Sequence, residues 1–251
     1  MMRETLVFGP IHSRRLGSSL GINVLPEKGK LCNFDCIYCE CGWNSEGRGD
    51  TRLPSAEELE AALSAKLESC LSEGTPIDSI TFSGDGEPTL NPDFPRMVDV
   101  VLSLRDKYFP GAKVSVLSNA TRLSRPGVFE ALRKVDNPIL KLDAPTDALA
   151  GLINRPVAGY SVEEVVGNLL RFGGDFVLQT MFLRSPDFDS SSAEVLGGWM
   201  EIVRRVRPRE IMVYTLDRPA PMAGLQKFSA EQMRSLVQPL SDEGYKIQIK
   251  A

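Results

Sequence analysis

Apolar, β-branched runs alternate with helical stretches along this chain, and each run stops at polar or glycine-containing punctuation. Strands are predicted at Leu20–Leu25, Ser79–Ser83, Lys113–Leu117, Ile139–Leu142, Phe176–Phe182, Ile211–Tyr214 and Lys246–Lys250. Helices fill the intervals. Three helix starts carry capping-box pairs, Ser55…Glu58, Ser161…Glu164 and Ser229…Gln232, in which the serine and the residue three positions on satisfy each other's free backbone donors. The first helix sets Leu59, Leu63, Leu67, Cys70 and Leu71 in one apolar stripe, which makes Cys70 a core residue and not a ligand.

Strand–helix alternation predicts right-handed β-α-β units, hence an α/β fold whose parallel sheet is covered by helices. About six such units suit an open, partial (β/α)6 parallel barrel better than a closed eight-stranded one. Chemistry in such folds gathers at the C-terminal ends of the strands. The chain is expected to form a single domain over 1–251, with 1–19 a lead-in covering one end and 20–251 the partial barrel. No repeat, low-complexity tract or change of composition argues for a second domain.

Composition narrows the class without naming a function. With 251 residues and 42% hydrophobic side chains the chain can bury one large core, and no apolar run has the length a membrane span needs. A cytoplasmic protein is expected, with no membrane contact. A net charge of −4 draws it to neither nucleic acid nor anionic lipid, so any RNA contact needs a local basic patch. Arg204, Arg205, Arg207 and Arg209 offer one after a helix whose apolar face holds Val195, Trp199, Ile202 and Val206. The alternative is a solvated helix end favoured by the macrodipole.

The cysteines point to chemistry. Cys32-Asn33-Phe34-Asp35-Cys36-Ile37-Tyr38-Cys39 is a C-x3-C-x2-C arrangement that supplies three thiolates from one short loop. Iron–sulfur clusters normally take four cysteine ligands, so a cubane held by three keeps one iron open. A structural zinc site completed by Cys41, or another non-catalytic metal module, is the alternative, but zinc sites usually pair two short arms across a longer span, and the only histidine is His12. A disulfide framework fits worse: Cys70 leaves an odd number, and Met1-Met2-Arg3-Glu4 does not read as a secretory signal. A reducing compartment follows from that reading. The glycine-rich, charged stretch Glu40–Arg52, which holds Cys41 and Trp43, reads as a mobile lid beside the loop.

The cysteine spacing, with Tyr38 directly before the last thiol, resembles the signature of the radical S-adenosylmethionine (radical SAM) superfamily. The second strand runs into Ser83-Gly84-Asp85-Gly86-Glu87-Pro88-Thr89-Leu90, which is similar to that superfamily's glycine-glutamate motif. The resemblance implies a [4Fe–4S] cluster on Cys32, Cys36 and Cys39, with SAM received by Tyr38, Gly84, Asp85, Gly86 and Glu87. Short polar side chains at the following strand ends, Ser118, Asn119 and Asp143, are the implied partners of the SAM carboxylate and ribose; Lys141 is set apart because alternation can turn it to the other face. Asn119 and Asp143 can equally cap the turns that follow them. Gln179, Tyr214 and Arg218 are expected to line the adenine side or the substrate pocket.

Further stretches resemble the branch grouped with wyosine-tRNA synthases: Phe8-Gly9-Pro10, Ser13–Gly17, Leu20–Ile22, Ile153-Asn154-Arg155-Pro156 and Tyr214–Pro219. What this implies is reductive SAM cleavage to a 5′-deoxyadenosyl radical that abstracts hydrogen from a substrate, RNA (tRNA included), peptide or small molecule, with flavodoxin or ferredoxin as electron donor. One departure matters. Archaeal wyosine synthases carry a second cysteine set upstream of the main motif, and here no cysteine precedes Cys32, so pyruvate-condensing chemistry loses its second cluster.

Overall fold

The computed structural model describes residues 5–13, 16–47 and 50–251, and the chain divides into two compact units. The first comprises Met1–Cys32, Asn44–Ser118 and Ser124–Pro138, the second Asn33–Trp43, Asn119–Leu123 and Ile139–Ala251.

In the first unit, strands β1 (Val7–Ser13), β2 (Gly17–Ile22), β3 (Ser79–Phe82) and β4 (Lys113–Ser118) lie side by side in that order. The first pair is antiparallel, and β2, β3 and β4 are parallel. Helices α1 (Ala56–Ser72), α2 (Phe94–Tyr108) and α3 (Pro126–Lys134) make the connections. α1 packs on α2, and its Leu59, Leu63, Leu67 and Cys70 are all fully buried, so Cys70 is a core residue as expected. Leu71 corrects the predicted stripe: it is 54% exposed. At 100° per residue it stands about 120° round the helix from Leu59, whereas Cys70 falls within about 20°. The segment expected to be a lead-in contains β1, whose register with β2 shifts between Phe8 and Ile11, where Gly9-Pro10 interrupts the ladder. Arg14 and Arg15 of the Ser13–Gly17 stretch lie outside the described residues.

The second unit begins within β5 (Asn137–Lys141) and continues through α4 (Asp147–Ile153), α5 (Val162–Leu170), β6 (Val177–Met181), the short β7 (Leu183–Ser185) and β8 (Phe188–Asp189), and α6 (Ala193–Val206). It closes with β9 (Glu210–Tyr214), β10 (Gln226–Lys227), α7 (Ala230–Asp242) and β11 (Ile247–Lys250). β5, β6, β9 and β11 are parallel neighbours, while β10, β7 and β8 form a separate antiparallel sheet. Trp199 of α6 sits against Phe182 edge to face and donates its indole N–H to Thr180 Oγ1 at 3.0 Å, so β6 turns Leu178 and Thr180 toward the helix. Gln179 and Met181 therefore point the other way.

The architecture is thus α/β, an open and mostly parallel sheet with helices, as predicted. Caps follow the sequence with one exception: the boxes at Ser55 and Ser229 are complete, but at Ser161 only the serine side is made. The adjacent Val162 N–H donates to Asp147 Oδ1 at 2.6 Å.

Candidate active site

The first unit carries Cys32, the glycine-glutamate turn and Ser118. The turn is stitched to the residue that precedes Cys32: Leu31 N–H donates to Asp85 O, and Glu87 N–H to Leu31 O, both at 3.0 Å. The two glycines make this approach possible. A Cβ on Gly86, whose φ is +142°, would lie 1.9 Å from Leu31 O, and one on Gly84 would lie 2.0 Å from Asn23 Oδ1. Their immediate neighbours are this chain's own atoms. Asn23 Oδ1 also accepts from Asp85 N–H at 3.1 Å. Glu87 is buried, and its Oε1 accepts from Thr89 N–H at 3.1 Å, Thr89 Oγ1 at 2.5 Å and Ser118 Oγ at 2.9 Å. Ser118, the last residue of β4, is thereby oriented by the turn. Asn44 Nδ2 donates to Cys32 O at 3.1 Å.

The second unit carries Cys36 and Cys39 on a stretch clamped by the end of α4. Asn154 caps that helix, and Arg155 takes a left-handed φ of +46°, which turns the chain back along the cysteine stretch. Asp35 N–H donates to Asn154 O at 2.9 Å, Ile37 N–H to Ile153 O at 3.0 Å and Val157 N–H to Asn33 O at 3.0 Å. Within the stretch, Cys39 N–H returns to Cys36 O at 3.1 Å. Arg155 stacks over Trp43 at 4.9 Å, and Glu40 pairs with Arg218 at 2.9 Å.

A buried polar network underlies this stretch. Asp143 has a side chain of 0% exposure and is engaged on both oxygens: Oδ1 accepts from Met181 N–H at 2.8 Å, and Oδ2 accepts from Asn154 Nδ2 at 2.7 Å and from the Tyr38 hydroxyl. Lys141 Nζ donates to Tyr38 Oη at 2.8 Å and to Tyr214 Oη at 2.6 Å, lies near both rings, and is 3.7 Å from Asp143 Oδ2. Burial is the largest influence and opposes its charge, but Asp143, Tyr214 and Cys36 together outweigh burial and hold the ammonium above its ordinary range. Burial, then the Asp143 carboxylate, holds the Tyr38 phenol well above its own range, so it stays neutral and donates. Burial likewise pushes the Cys36 thiol up to about 11.

The nominated residues divide accordingly. Ser118 and Tyr214 end strands β4 and β9, and Gln179 of β6 is the register partner of Lys141 in β5. Asn119 follows β4 and makes an Asx turn, its Oδ1 accepting from Thr121 N–H and Oγ1 at 3.1 and 2.7 Å, while its Nδ2 reaches Asn33 Oδ1 at 2.7 Å. Arg218 is committed to its exposed pair with Glu40. Of the four arginines of the candidate basic patch, Arg204 pairs with Glu243, Arg205 with Glu163 and Arg209 with Asp175. Lys141, set apart in the sequence because alternation could turn it to the other face, lies in the network with Asp143. Sequence reasoning passed over Asn154, which shows only as part of a quoted motif.

The donor chemistry suits an iron–sulfur centre: three thiols on one short, backbone-anchored loop, the ligand type such clusters take. Among the described residues no three histidine, cysteine or carboxylate side chains are drawn together as a ready metal site. The Cys36 thiol is protonated as it stands, so ligation there releases a proton.

An α/β protein with a three-thiol loop after its first parallel strand is a narrow class. The chain belongs to the radical SAM superfamily, whose family model matches residues 27–184. Among curated proteins it is 31% identical over 223 residues to a UPF0026 protein of Synechocystis sp., covering 86% of this chain and 77% of that one. Among solved structures, a radical SAM methyltransferase from Sphaerobacter thermophilus superposes with a TM-score of 0.66 at 19% identity, over 92% of this chain and 66% of that one. TYW1 with a lysine-pyruvate adduct bound superposes with a TM-score of 0.64 at 15% identity, over 92% and 76%. At these identities the two structures speak for the fold. No helix among the described residues is long and apolar enough to cross a membrane.

Proposed function

We propose that this protein is a radical SAM enzyme in which Cys32, Cys36 and Cys39 hold a [4Fe–4S] cluster beside S-adenosylmethionine. The observation that carries the reading is the single loop of three thiols, with backbone ties at Leu31 and at Asp35 and Ile37, inside the stretch matched by the family. When bound, the cluster and SAM supply reductive cleavage of the sulfonium C–S bond, and the resulting 5′-deoxyadenosyl radical takes a hydrogen atom from the substrate.

The chain's residues do the rest. The Gly84–Glu87 turn offers backbone groups for the methionine end of SAM, and Glu87 orients Ser118 toward the end of β4. Tyr38, Asp143, Gln179 and Tyr214 are the second unit's contributions to cofactor binding, with the neutral Tyr38 phenol and the charged Lys141 fixing one another. Most of these groups are buried, which keeps water away from reactive intermediates. A flavodoxin or ferredoxin delivers the electron, and the substrate is RNA, a peptide or a small molecule.

The test is anaerobic reconstitution followed by iron and sulfide counts and, after dithionite and SAM, quantification of 5′-deoxyadenosine. Four irons per chain and SAM cleavage in the wild type, both lost in Cys36→Ala and Cys39→Ala, are expected. One zinc per chain with no cleavage would replace this reading with a structural metal module. Retained cleavage in either cysteine variant would refute the assignment of the ligands.

A further inference from the structure

Asn154 is 2% exposed, and its side-chain amide meets three acceptors: Asp143 Oδ2 at 2.7 Å, Tyr38 Oη at 3.3 Å and Cys36 Sγ at 3.4 Å. The orientation of that amide is decided by its neighbours. Asp143 presents oxygens that already accept from Met181 N–H and the Tyr38 hydroxyl, with Lys141 Nζ 3.7 Å away, so it faces the NH2 end of Asn154 and not its carbonyl oxygen. Asp143 cannot rotate away, because Met181 N–H holds its other oxygen at 2.8 Å. Of the two amide hydrogens, the shorter bond to Asp143 takes one. The other is left to the Tyr38 hydroxyl and the Cys36 sulfur. The same residue grips the loop through its main chain, its carbonyl accepting from Asp35 N–H at 2.9 Å.

We propose that Asn154, locked by Asp143, is the positioning residue of the Cys36 ligand and raises the reduction potential of a cluster bound there. The inference rests on the radical SAM reading above. An N–H directed at a ligating sulfur stabilises the electron-richer, reduced cluster, and side chains that bond metal ligands fix their geometry. It also gives Asp143 a task distinct from the SAM contact implied by resemblance: with both oxygens engaged by three donors, this carboxylate acts on the cysteine loop.

Asn154→Leu keeps the branched shape and the backbone bonds and replaces the amide, its N–H donors included, by methyl groups, and Asn154→Gln returns an amide on a longer stem. Wild type and both variants are reconstituted, iron and sulfide are counted, and midpoint potentials are read by titration followed by electron paramagnetic resonance. A full cluster with a lower midpoint in Asn154→Leu, and a midpoint moved back toward wild type in Asn154→Gln, is expected. A full cluster in Asn154→Leu with the wild-type midpoint overturns the proposal. If Asn154→Leu takes up no cluster, the apo-protein of Asn154→Ser decides by hydrogen exchange: the Ile37 and Cys39 amides should exchange at least about tenfold faster, beyond any change shared by amides of the first unit, and exchange unchanged relative to those amides overturns the proposal. A wild type without iron would sink the functional reading alone, and the apo-protein exchange would still judge the clamp.

Discussion

Replacing Gly86 by alanine puts a methyl carbon where the chain has no room for one. The new Cβ would stand 1.9 Å from Leu31 O, a main-chain atom, at a φ of +142° that side-chain-bearing residues rarely adopt. Restoring an ordinary contact means moving either strand of the stitch by more than 1 Å, which breaks Leu31 N–H to Asp85 O and Glu87 N–H to Leu31 O. Two backbone hydrogen bonds at about 1 kcal/mol each and a backbone strain of about 1–2 kcal/mol give roughly 3–4 kcal/mol. For a chain of this size that lowers the melting temperature by roughly 6–16 °C. Two controls separate the contributions. Gly74 has a φ of +67° and nothing within 4 Å of its Cβ position, so Gly74→Ala isolates the backbone strain. Gly111 has open space and no positive φ, so Gly111→Ala should change little. Thermal unfolding by circular dichroism on all three apo-proteins reads the series. A Gly86→Ala variant that melts with Gly74→Ala would show that the stitch contributes nothing.

The other expectations concern charge. Burial pulls the Asp136 carboxyl upward, but Val114 N–H, Lys113 and Arg105 outweigh it and hold the group below its ordinary value of 3.8. A depressed folded-state pKa stabilises above the unfolded value and is lost as pH falls through the folded one. The stability gap between wild type and Asp136→Asn should therefore be full at neutral pH and shrink below about pH 4 in denaturant titrations; a gap that persists undiminished at the acid end refutes the assignment. Arg204→Ala and Arg205→Ala remove surface pairs with Glu243 and Glu163 and should leave both melting temperature and any measured RNA affinity unchanged. A drop in RNA affinity would restore the phosphate-binding role that the pairing argues against.

The elements most legible in the sequence are those whose pattern repeats. All seven predicted strands overlap observed ones, and Ser55 and Ser229 cap where their boxes stand. β1 escaped because Gly9-Pro10 breaks its alternation, and β7, β8 and β10 are two or three residues long, too short to show a period. Leu71 was misplaced because a four-residue step drifts round the helix until it leaves the buried face. At the candidate site the thiols were visible as spacing, and Ser118 and Tyr214 as strand ends. Asn154 was not, and Lys141 was visible only as a candidate whose facing alternation left open. Their importance comes from acceptors that tertiary structure alone brings near: Tyr38, over 100 residues before either, and Asp143, held in turn by Met181.

The ties that fix the cysteine loop are made to main-chain atoms of two distant stretches, Asp85–Glu87 on one side of Cys32 and Ile153–Val157 on the other. The loop is therefore not a portable cassette. A chimera that took residues 27–43 from a relative would import donors and acceptors spaced for that relative's partners, and would hold its thiols in register only if 83–87 and 153–157 were exchanged with it. In this protein the unit of inheritance for the chemistry is three segments long.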